Sequence, residues 1–191
     1  MIWLKKISLD FWHYLGKVQG GRLRLIHITM AILIVIQIID SNFMHVHYPK
    51  PVLDFADWFH ITIGFITLSI FLVFVAICFA KKGVKHYYPY LFLDFSQLRQ
   101  DVKTLMRLKL PHANPYGMAT SVQGLGLGAL ILVILSGALW FIAWWMNAPA
   151  AHELKSLHKS LTLLIEIYII AHGVMGVFHF LMVYYCPQRL E

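Results

Sequence analysis

Four long apolar segments alternate along the chain with polar, charged connections. They cover about residues 23–41, 58–80, 119–146 and 157–185. Each approaches or exceeds the length of about 20 helical residues that crosses a hydrocarbon core. Because a backbone in lipid must satisfy its own hydrogen bonds, each segment predicts a membrane-spanning α-helix. The pattern therefore predicts an all-α membrane protein, a bundle of four transmembrane helices formed by one domain over residues 1–191.

Two further segments are predicted to form amphipathic helices outside the spans. Residues 2–18 mix large apolar side chains with lysines, and this segment is expected to lie along the membrane surface. Residues 95–108 repeat leucine or valine at helical spacing within the long connection 81–118.

The composition agrees with a membrane protein and excludes several other functions. Of the 191 residues, 59% are apolar and 13% are Asp, Glu, Lys or Arg, about half the charged share of a soluble domain. A net charge of +7 suggests nucleic acid in a soluble protein, but so apolar a chain has no polar surface to offer it. Cys78 and Cys186 belong to no C-x-x-C or C-x-x-C-H pattern, which excludes zinc ribbons, thiol pairs and covalent haem attachment.

The basic residues assign a direction to the spans. Lys50, Lys155 and Lys159 lie on one side of the predicted membrane, and all other basic residues lie on the opposite side. The larger group comprises Lys5, Lys6, Lys17, Arg22, Arg24, Lys81, Lys82, Lys85, Arg99, Lys103, Arg107, Lys109 and Arg189. Since basic segments stay in the cytoplasm, both termini and the loop 81–118 are predicted to be cytoplasmic. These charges would also attract anionic membrane lipid.

Histidines within the spans are the candidate chemistry. His27 lies about one turn inside the cytoplasmic end of the first span, and His60 lies just inside the periplasmic end of the second. His158 and His172, both in the fourth span, are 14 residues apart, which is about 21 Å along a helix and within about 40° of one face. This spacing predicts that His158 is level with His60, and His172 with His27.

Two level pairs of histidines that share one helix match the needs of two b-type haems. Each haem iron has two axial positions, which imidazoles from two helices can fill. We therefore predict two non-covalent haem b groups, one held by His60 and His158 and the other by His27 and His172. The simpler interpretation of any one of these histidines is an interhelical hydrogen bond. A non-haem metal carrier is the alternative for the whole set, although transport sites converge at the midplane.

Other histidines are interpreted by position. His179 is expected at the cytoplasmic interface, near a haem propionate or lipid, and competes with His172 as a ligand. His45 and His47 lie on a periplasmic loop, either exposed or binding a surface metal or titrating near a substrate. The remaining ones are expected to be interfacial or solvated, namely His13, His86, His112 and His152.

Several other residues near the predicted haems have two interpretations. Gly64, one turn after His60, either admits a flat porphyrin or serves ordinary helix packing, and the same holds for Gly173 and Gly176. Arg22 and Arg24 either pair haem propionates or only mark the cytoplasmic side. Asp40, at the end of the first span, either bounds a pocket near the periplasmic haem or is a plain helix terminus. Glu166, an acid within a span, has either a structural role or relays protons to a quinone.

Short motifs around these histidines resemble the bacterial cytochrome b561 family, which includes the cytochrome b subunits of nickel-iron hydrogenases. They are Arg-Leu-Ile-His at 24–27, Trp-Phe-His-Ile-Thr-Ile-Gly at 58–64, Leu-His at 157–158 and Ala-His-Gly at 171–173. His-Ala-Asn-Pro-Tyr-Gly at 112–117 is similar to a loop of the hydrogenase-type branch, although the chain is shorter than those cytochromes usually are. The resemblance covers all four spans and implies haem ligation by the same four histidines in a bacterial inner membrane.

The residues and the resemblance imply a multi-pass dihaem cytochrome b that carries electrons between a periplasmic redox partner and the quinone pool. Ubiquinone or menaquinone would be the exchangeable partner. The chain would act as the membrane subunit of an oxidoreductase, beside a hydrogenase-like or cytochrome c subunit. A stand-alone superoxide:quinone oxidoreductase of the same family is the alternative, favoured by the short chain. Against it, three periplasmic lysines among four acids make a poor cationic funnel.

Overall fold

A computed structural model describes residues 2–44, 52–107, 109, 111 and 114–185, and all regular structure in these ranges is helical. Seven α-helices follow one another along the chain. They are α1 (Ile2–Gln19), α2 (Gly21–Asp40), α3 (Phe55–Lys82), α4 (Val84–Tyr87), α5 (Ser96–Met106), α6 (Met118–Trp145) and α7 (Ala151–Tyr185). Short 3-10 helices follow α2 at Ser41–Phe43 and α4 at Pro89–Phe92.

Four of these helices are long and apolar enough to cross a membrane. The candidate spans are Gly21–Phe43, Phe55–Lys82, Met118–Trp145 and Ala151–Tyr184. The predicted all-helical class with four candidate spans is confirmed. The last helix begins earlier than the predicted residue 157, because its first turns are too polar for hydrocarbon but still helical. Glu153 in the first turn favours this start, since a carboxylate stabilises a helix N-terminus.

The chain forms two compact units, Met1–Phe74 with Ile169–Glu191, and Val75–Tyr168. In the first unit, α1 packs against α2 and the final turns of α7. Arg24 on α2 donates a hydrogen bond of 2.7 Å to the Trp12 carbonyl, and its guanidinium lies 3.8 Å from the centre of the Trp12 ring. Phe180 on α7 contacts Phe11 at 5.1 Å between ring centroids. The predicted N-terminal helix is thus confirmed, and its aromatic side chains contact other helices, although Trp12 remains 38% exposed.

In the second unit, glycines on α6 allow close contacts that a side chain would block. A Cβ at Gly126 would overlap the ring of Tyr168 on α7, and one at Gly124 would overlap the Tyr87 carbonyl on α4. The Tyr88 hydroxyl then donates to the Gly124 carbonyl at 2.9 Å. The short α4 is held against α6 by these contacts.

A buried carboxylate joins α5 to the start of α6. Asp101 is 3% exposed, and its Oδ2 accepts the Met118 backbone N–H at 2.7 Å while Oδ1 accepts the Gln97 amide at 2.8 Å. A Cβ at Gly117 would lie 2.5 Å from Asp101 Oδ2. The glycine that ends the Asn-Pro-Tyr-Gly run therefore leaves room for a carboxylate that caps the first turn of α6.

Replacing Asp101 by alanine is expected to lower the free energy of unfolding by about 1–3 kcal/mol, because the Met118 N–H loses its acceptor in a buried place. Thermal unfolding of the purified protein in detergent would measure the change. Asp94→Ala is the matched control, since Asp94 pairs with Lys85 at 2.9 Å on the surface, where ion pairs contribute little. Equal losses in the two variants would contradict the capping role.

Candidate haem-binding histidines

His27 and His172 face each other within the first unit. His27 extends from α2 and His172 from the second half of α7, and their ring centroids are 5.9 Å apart with the planes perpendicular. Phe74 stacks on His27 with centroids 6.0 Å apart and the planes 17° from parallel. The structure therefore brings together two histidines that the sequence placed at one depth.

The separation of these two rings suits one metal ion between them. A metal–imidazole bond is about 2.0 Å long, and a ring nitrogen lies roughly 1.1 Å from its centroid, so two axial imidazoles have centroids roughly 6 Å apart. The observed 5.9 Å agrees with this value.

Gln19 at the end of α1 fits the same arrangement. Its Nε2 lies 3.2 Å from Nδ1 of His27, and its Oε1 is buried without a hydrogen-bond partner among the described residues. If His27 binds iron through Nε2, its Nδ1 carries the proton and must donate it. A rotation of the Gln19 amide that exchanges its oxygen and nitrogen satisfies both groups. The Gln19 oxygen would thus accept the Nδ1 proton of His27 when His27 is a ligand.

His60 is held by two polar residues of α2. Nδ1 of His60 lies 3.3 Å from Oδ2 of Asp40, and these side chains are 17% and 14% exposed. One turn earlier, the Gln37 amide donates to the His60 carbonyl at 2.8 Å. The pair resembles the carboxylate–histidine contacts that orient metal-bound imidazoles. The structure thus places the carboxylate of Asp40 near the candidate ligand, although the two atoms do not form a hydrogen bond with each other.

His158 is oriented by α6 within the second unit. Its Nδ1 lies 3.0 Å from the Val133 carbonyl and 3.0 Å from the Ser136 hydroxyl oxygen. A carbonyl can only accept, so Nδ1 carries the proton and the lone pair is on Nε2, the nitrogen that can bind iron. A Cβ at Gly137 would lie 3.0 Å from the His158 ring. The absence of a side chain at Gly137 therefore leaves room for the His158 ring beside α6.

The other predicted site residues have varied surroundings. Nδ1 of His179 donates to the Met175 carbonyl of its own helix at 2.9 Å. Arg24 donates a hydrogen bond to the Trp12 carbonyl, and its Nε is buried without a hydrogen-bond partner among the described residues. Arg22 is exposed. A Cβ at Gly64 would contact the Gln37 amide at an ordinary 3.6 Å. Glu166 is half-buried.

None of the described residues lies within 4 Å of the Cβ position at Gly173 or Gly176. His45, His47 and His112 lie outside the described residues.

His86 was predicted to be interfacial or solvated, and the solvated alternative is wrong. Its side chain is 8% exposed, and its ring meets Tyr87 edge-on at 4.9 Å and Tyr116 at 6.0 Å. Burial, together with the positive charge of Lys82, lowers the pKa of His86. Both effects favour the neutral form of the histidine. The packing of α4 against α6 buries it.

Sequence reasoning missed three residues that hold the candidate ligands. Gln19 contacts His27, whereas Ser136 and Gly137 contact His158. The Ser-Gly-Ala run at 136–138 is a stretch of small residues in an apolar helix. Such a run indicates close packing, but it does not indicate which residue packs against it. Gln19 carries no such signal, because its role depends on how α1 turns into α2.

Paired imidazoles in apolar helices define a class of membrane protein that holds a metal cofactor between its helices. A sequence model of prokaryotic cytochrome b561 matches residues 18–183, and the chain belongs to this family. No curated protein and no solved structure matches it. The family and the four apolar helices make the chain a multi-pass membrane protein, and the family implies haem b as the cofactor.

Proposed function

We propose that the chain is a transmembrane dihaem cytochrome b in which His27 and His172 hold one haem and His60 and His158 hold the other. The proximity of His27 and His172 carries the proposal, because two imidazoles this close on two apolar helices would hold a metal cofactor between them. The fixed Nδ1 of His158 and the Asp40 contact of His60 support the second pair. The depths of these two histidines along their helices support it as well.

The protein side chains orient the ligands and limit their motion. Haem b supplies one-electron redox chemistry when it is bound. Gln19 and the Val133 carbonyl lie within hydrogen-bonding distance of Nδ1 of His27 and of His158, so neighbouring residues orient these two imidazoles. Asp40 lies 3.3 Å from Nδ1 of His60. A ring that is already oriented needs little rearrangement when an electron arrives or leaves.

Electrons would pass between a periplasmic redox partner and the membrane quinone pool, with the chain acting as the membrane subunit of an oxidoreductase. The basic residues of the termini and of the loop 81–118 support a cytoplasmic position for them, which puts His60 and Asp40 at the periplasmic end. Quinone reduction consumes protons, and the half-buried Glu166 is the candidate relay because an intramembrane carboxylate can carry them.

The test is the haem content of the purified protein. A reduced-minus-oxidised spectrum is expected to show a b-type band, and the pyridine haemochrome should report two haems per chain. Chemical reduction in detergent and protein quantitation by amino-acid analysis make the ratio independent of any partner. The dihaem proposal would be overturned if protein from haem-supplied cells lacked the b-type band. A ratio clearly below two haems per chain would overturn it as well.

A further inference from the structure

An open groove, the α5 groove, runs along one side of α5. Three apolar side chains, Phe95, Leu98 and Val102, and two cations, Arg99 and Lys103, line its volume of about 480 Å³. Residues three or four apart share a face of a helix, so the apolar side chains form one strip and the cations form a second strip beside it. Four of the five side chains are exposed, and Leu98 is half-buried. The groove therefore suits a ligand that has both an apolar part and a negative charge.

The contact between α5 and α6 sets the level of this groove relative to the membrane. On another side of α5, Asp101 accepts the backbone N–H of Met118, the first residue of the candidate span Met118–Trp145. A helix of 28 residues is about 42 Å long, which covers the hydrocarbon core together with the headgroup regions on both sides. Met118 is therefore expected at the level of the lipid headgroups, and its bond to Asp101 holds α5 at the same level.

The positive charge of the groove is not balanced by acids of its own loop. The loop 81–118 contains seven Lys and Arg residues but two acids. One acid, Asp94, pairs with Lys85 at 2.9 Å, and the other, Asp101, accepts hydrogen bonds from α5 and α6. Among the described residues, neither cation of the groove forms an ion pair with an acid. The groove therefore complements an anion from outside the chain.

We propose that the α5 groove binds one anionic phospholipid. Its phosphate would contact Arg99 and Lys103, because a guanidinium binds phosphate oxygens bidentately and an ammonium binds them as a point charge. Its acyl chain would lie against Phe95, Leu98 and Val102 and continue into the membrane. Lipid binding in this groove is independent of haem ligation and adds a second ligand to the proposed cytochrome.

A phospholipid fits both strips of the groove, whereas a soluble phosphate fits one. Soluble phosphate would pair with the cations but leave the apolar strip in water. Three more apolar side chains of the same loop, Leu91, Leu93 and Met106, are exposed, and exposed apolar surface of this kind is typical of membrane or protein contacts. At the level of the headgroups, the neighbour that reaches this surface is lipid.

The charge of the groove favours an anionic headgroup over a zwitterionic one. Choline would bring its own positive charge towards Arg99 and Lys103, and like charges repel. The glycerol headgroup of phosphatidylglycerol has no such charge. Anionic lipid should therefore bind more tightly than zwitterionic lipid with the same acyl chains.

Native mass spectrometry of the delipidated full-length protein tests the proposal through titration with phosphatidylglycerol and phosphatidylcholine of identical acyl chains. Phosphatidylglycerol is expected to bind about 10- to 30-fold more tightly, which is the effect expected of two basic residues at an anionic lipid surface. Arg99→Gln combined with Lys103→Gln should remove this preference. The exchange of Arg99→Lys with Lys103→Arg keeps both charges and should retain most of it.

Lys81→Gln combined with Lys82→Gln is the matched control. It removes the same charge from two exposed positions of the same loop, outside the α5 groove, and is expected to keep the preference for phosphatidylglycerol. Equal affinities of the wild-type protein for the two lipids would overturn the proposal. An equal loss of preference in the two glutamine double variants would overturn it too, because the charge of the whole loop would then be responsible.

Val102→Asn tests the apolar strip without a change of charge. It is expected to weaken the binding of both lipids and to keep the preference for phosphatidylglycerol. Glycerol phosphate, which carries the charge without acyl chains, should not compete with the lipid. Unchanged lipid binding by Val102→Asn would overturn the proposed place of the acyl chain. Competition by glycerol phosphate at equal concentration would indicate a site for soluble phosphate and would overturn the lipid proposal.

Discussion

His172→Ala is expected to remove one of the two haem b groups and to leave the other, so that the pyridine haemochrome ratio falls from two to one per chain. The reason is that the His172 ring faces His27 at 5.9 Å, and iron without this imidazole loses an axial ligand. The retained haem should keep a b-type spectrum. His158→Ala should remove the other haem in the same way, and the double variant should bind none.

His179→Ala is the matched control for His172→Ala. His179 lies seven residues later on α7, close to the same face, and its Nδ1 already donates to the Met175 carbonyl. Its replacement is expected to leave both haems in place. Loss of a haem from His179→Ala, with full retention in His172→Ala, would reverse the choice of ligand.

Gly137→Val is expected to displace the His158 ring and to weaken binding of its haem by about 10- to 100-fold, as is usual when the orientation of a metal ligand is disturbed. Even the Cβ of a new side chain would lie 3.0 Å from Cε1 and 3.3 Å from Nδ1 of His158. The ring has little freedom to retreat, because Val133 and Ser136 hold its Nδ1. The haem content after mild detergent washing would measure the loss.

The chain offers a matched control on the same helix. Among the residues that the structure describes, Gly128 has no neighbour within 4 Å of its Cβ position, so Gly128→Val makes the same chemical change without displacing any of them. It is expected to retain both haems with unchanged spectra. Equal haem loss from the two variants would show that valine disturbs α6 itself and would remove the specific role of Gly137.

Part of the site was predictable because it depends on one helix at a time. His158 and His172 share α7, and their spacing along it follows from the helical rise. The hydrogen-bond partners were not predictable, because each contact joins residues whose relative position depends on packing between helices. Val133 and His158 are 25 residues apart, and Gln37 and His60 are 23 residues apart. No local pattern encodes such a distance.

The burial of His86 illustrates the same limit. Its position in a basic segment between two spans is compatible with an interfacial or solvated histidine. The glycine at 124 on α6 decides otherwise, because a missing side chain there lets the Tyr87 backbone approach closely. The outcome depends on a residue in another helix.

The sequence by itself determined the four apolar helices, since hydrocarbon leaves a spanning backbone no hydrogen-bond partner except itself. It also determined the depth of each histidine along its helix and, through the pattern around them, the family. Only the tertiary structure decided that His27 meets His172 and that Asp40 contacts His60 while Gln19 contacts His27. The physical reason is that helical periodicity is a local property, whereas a contact between helices depends on how their side chains pack.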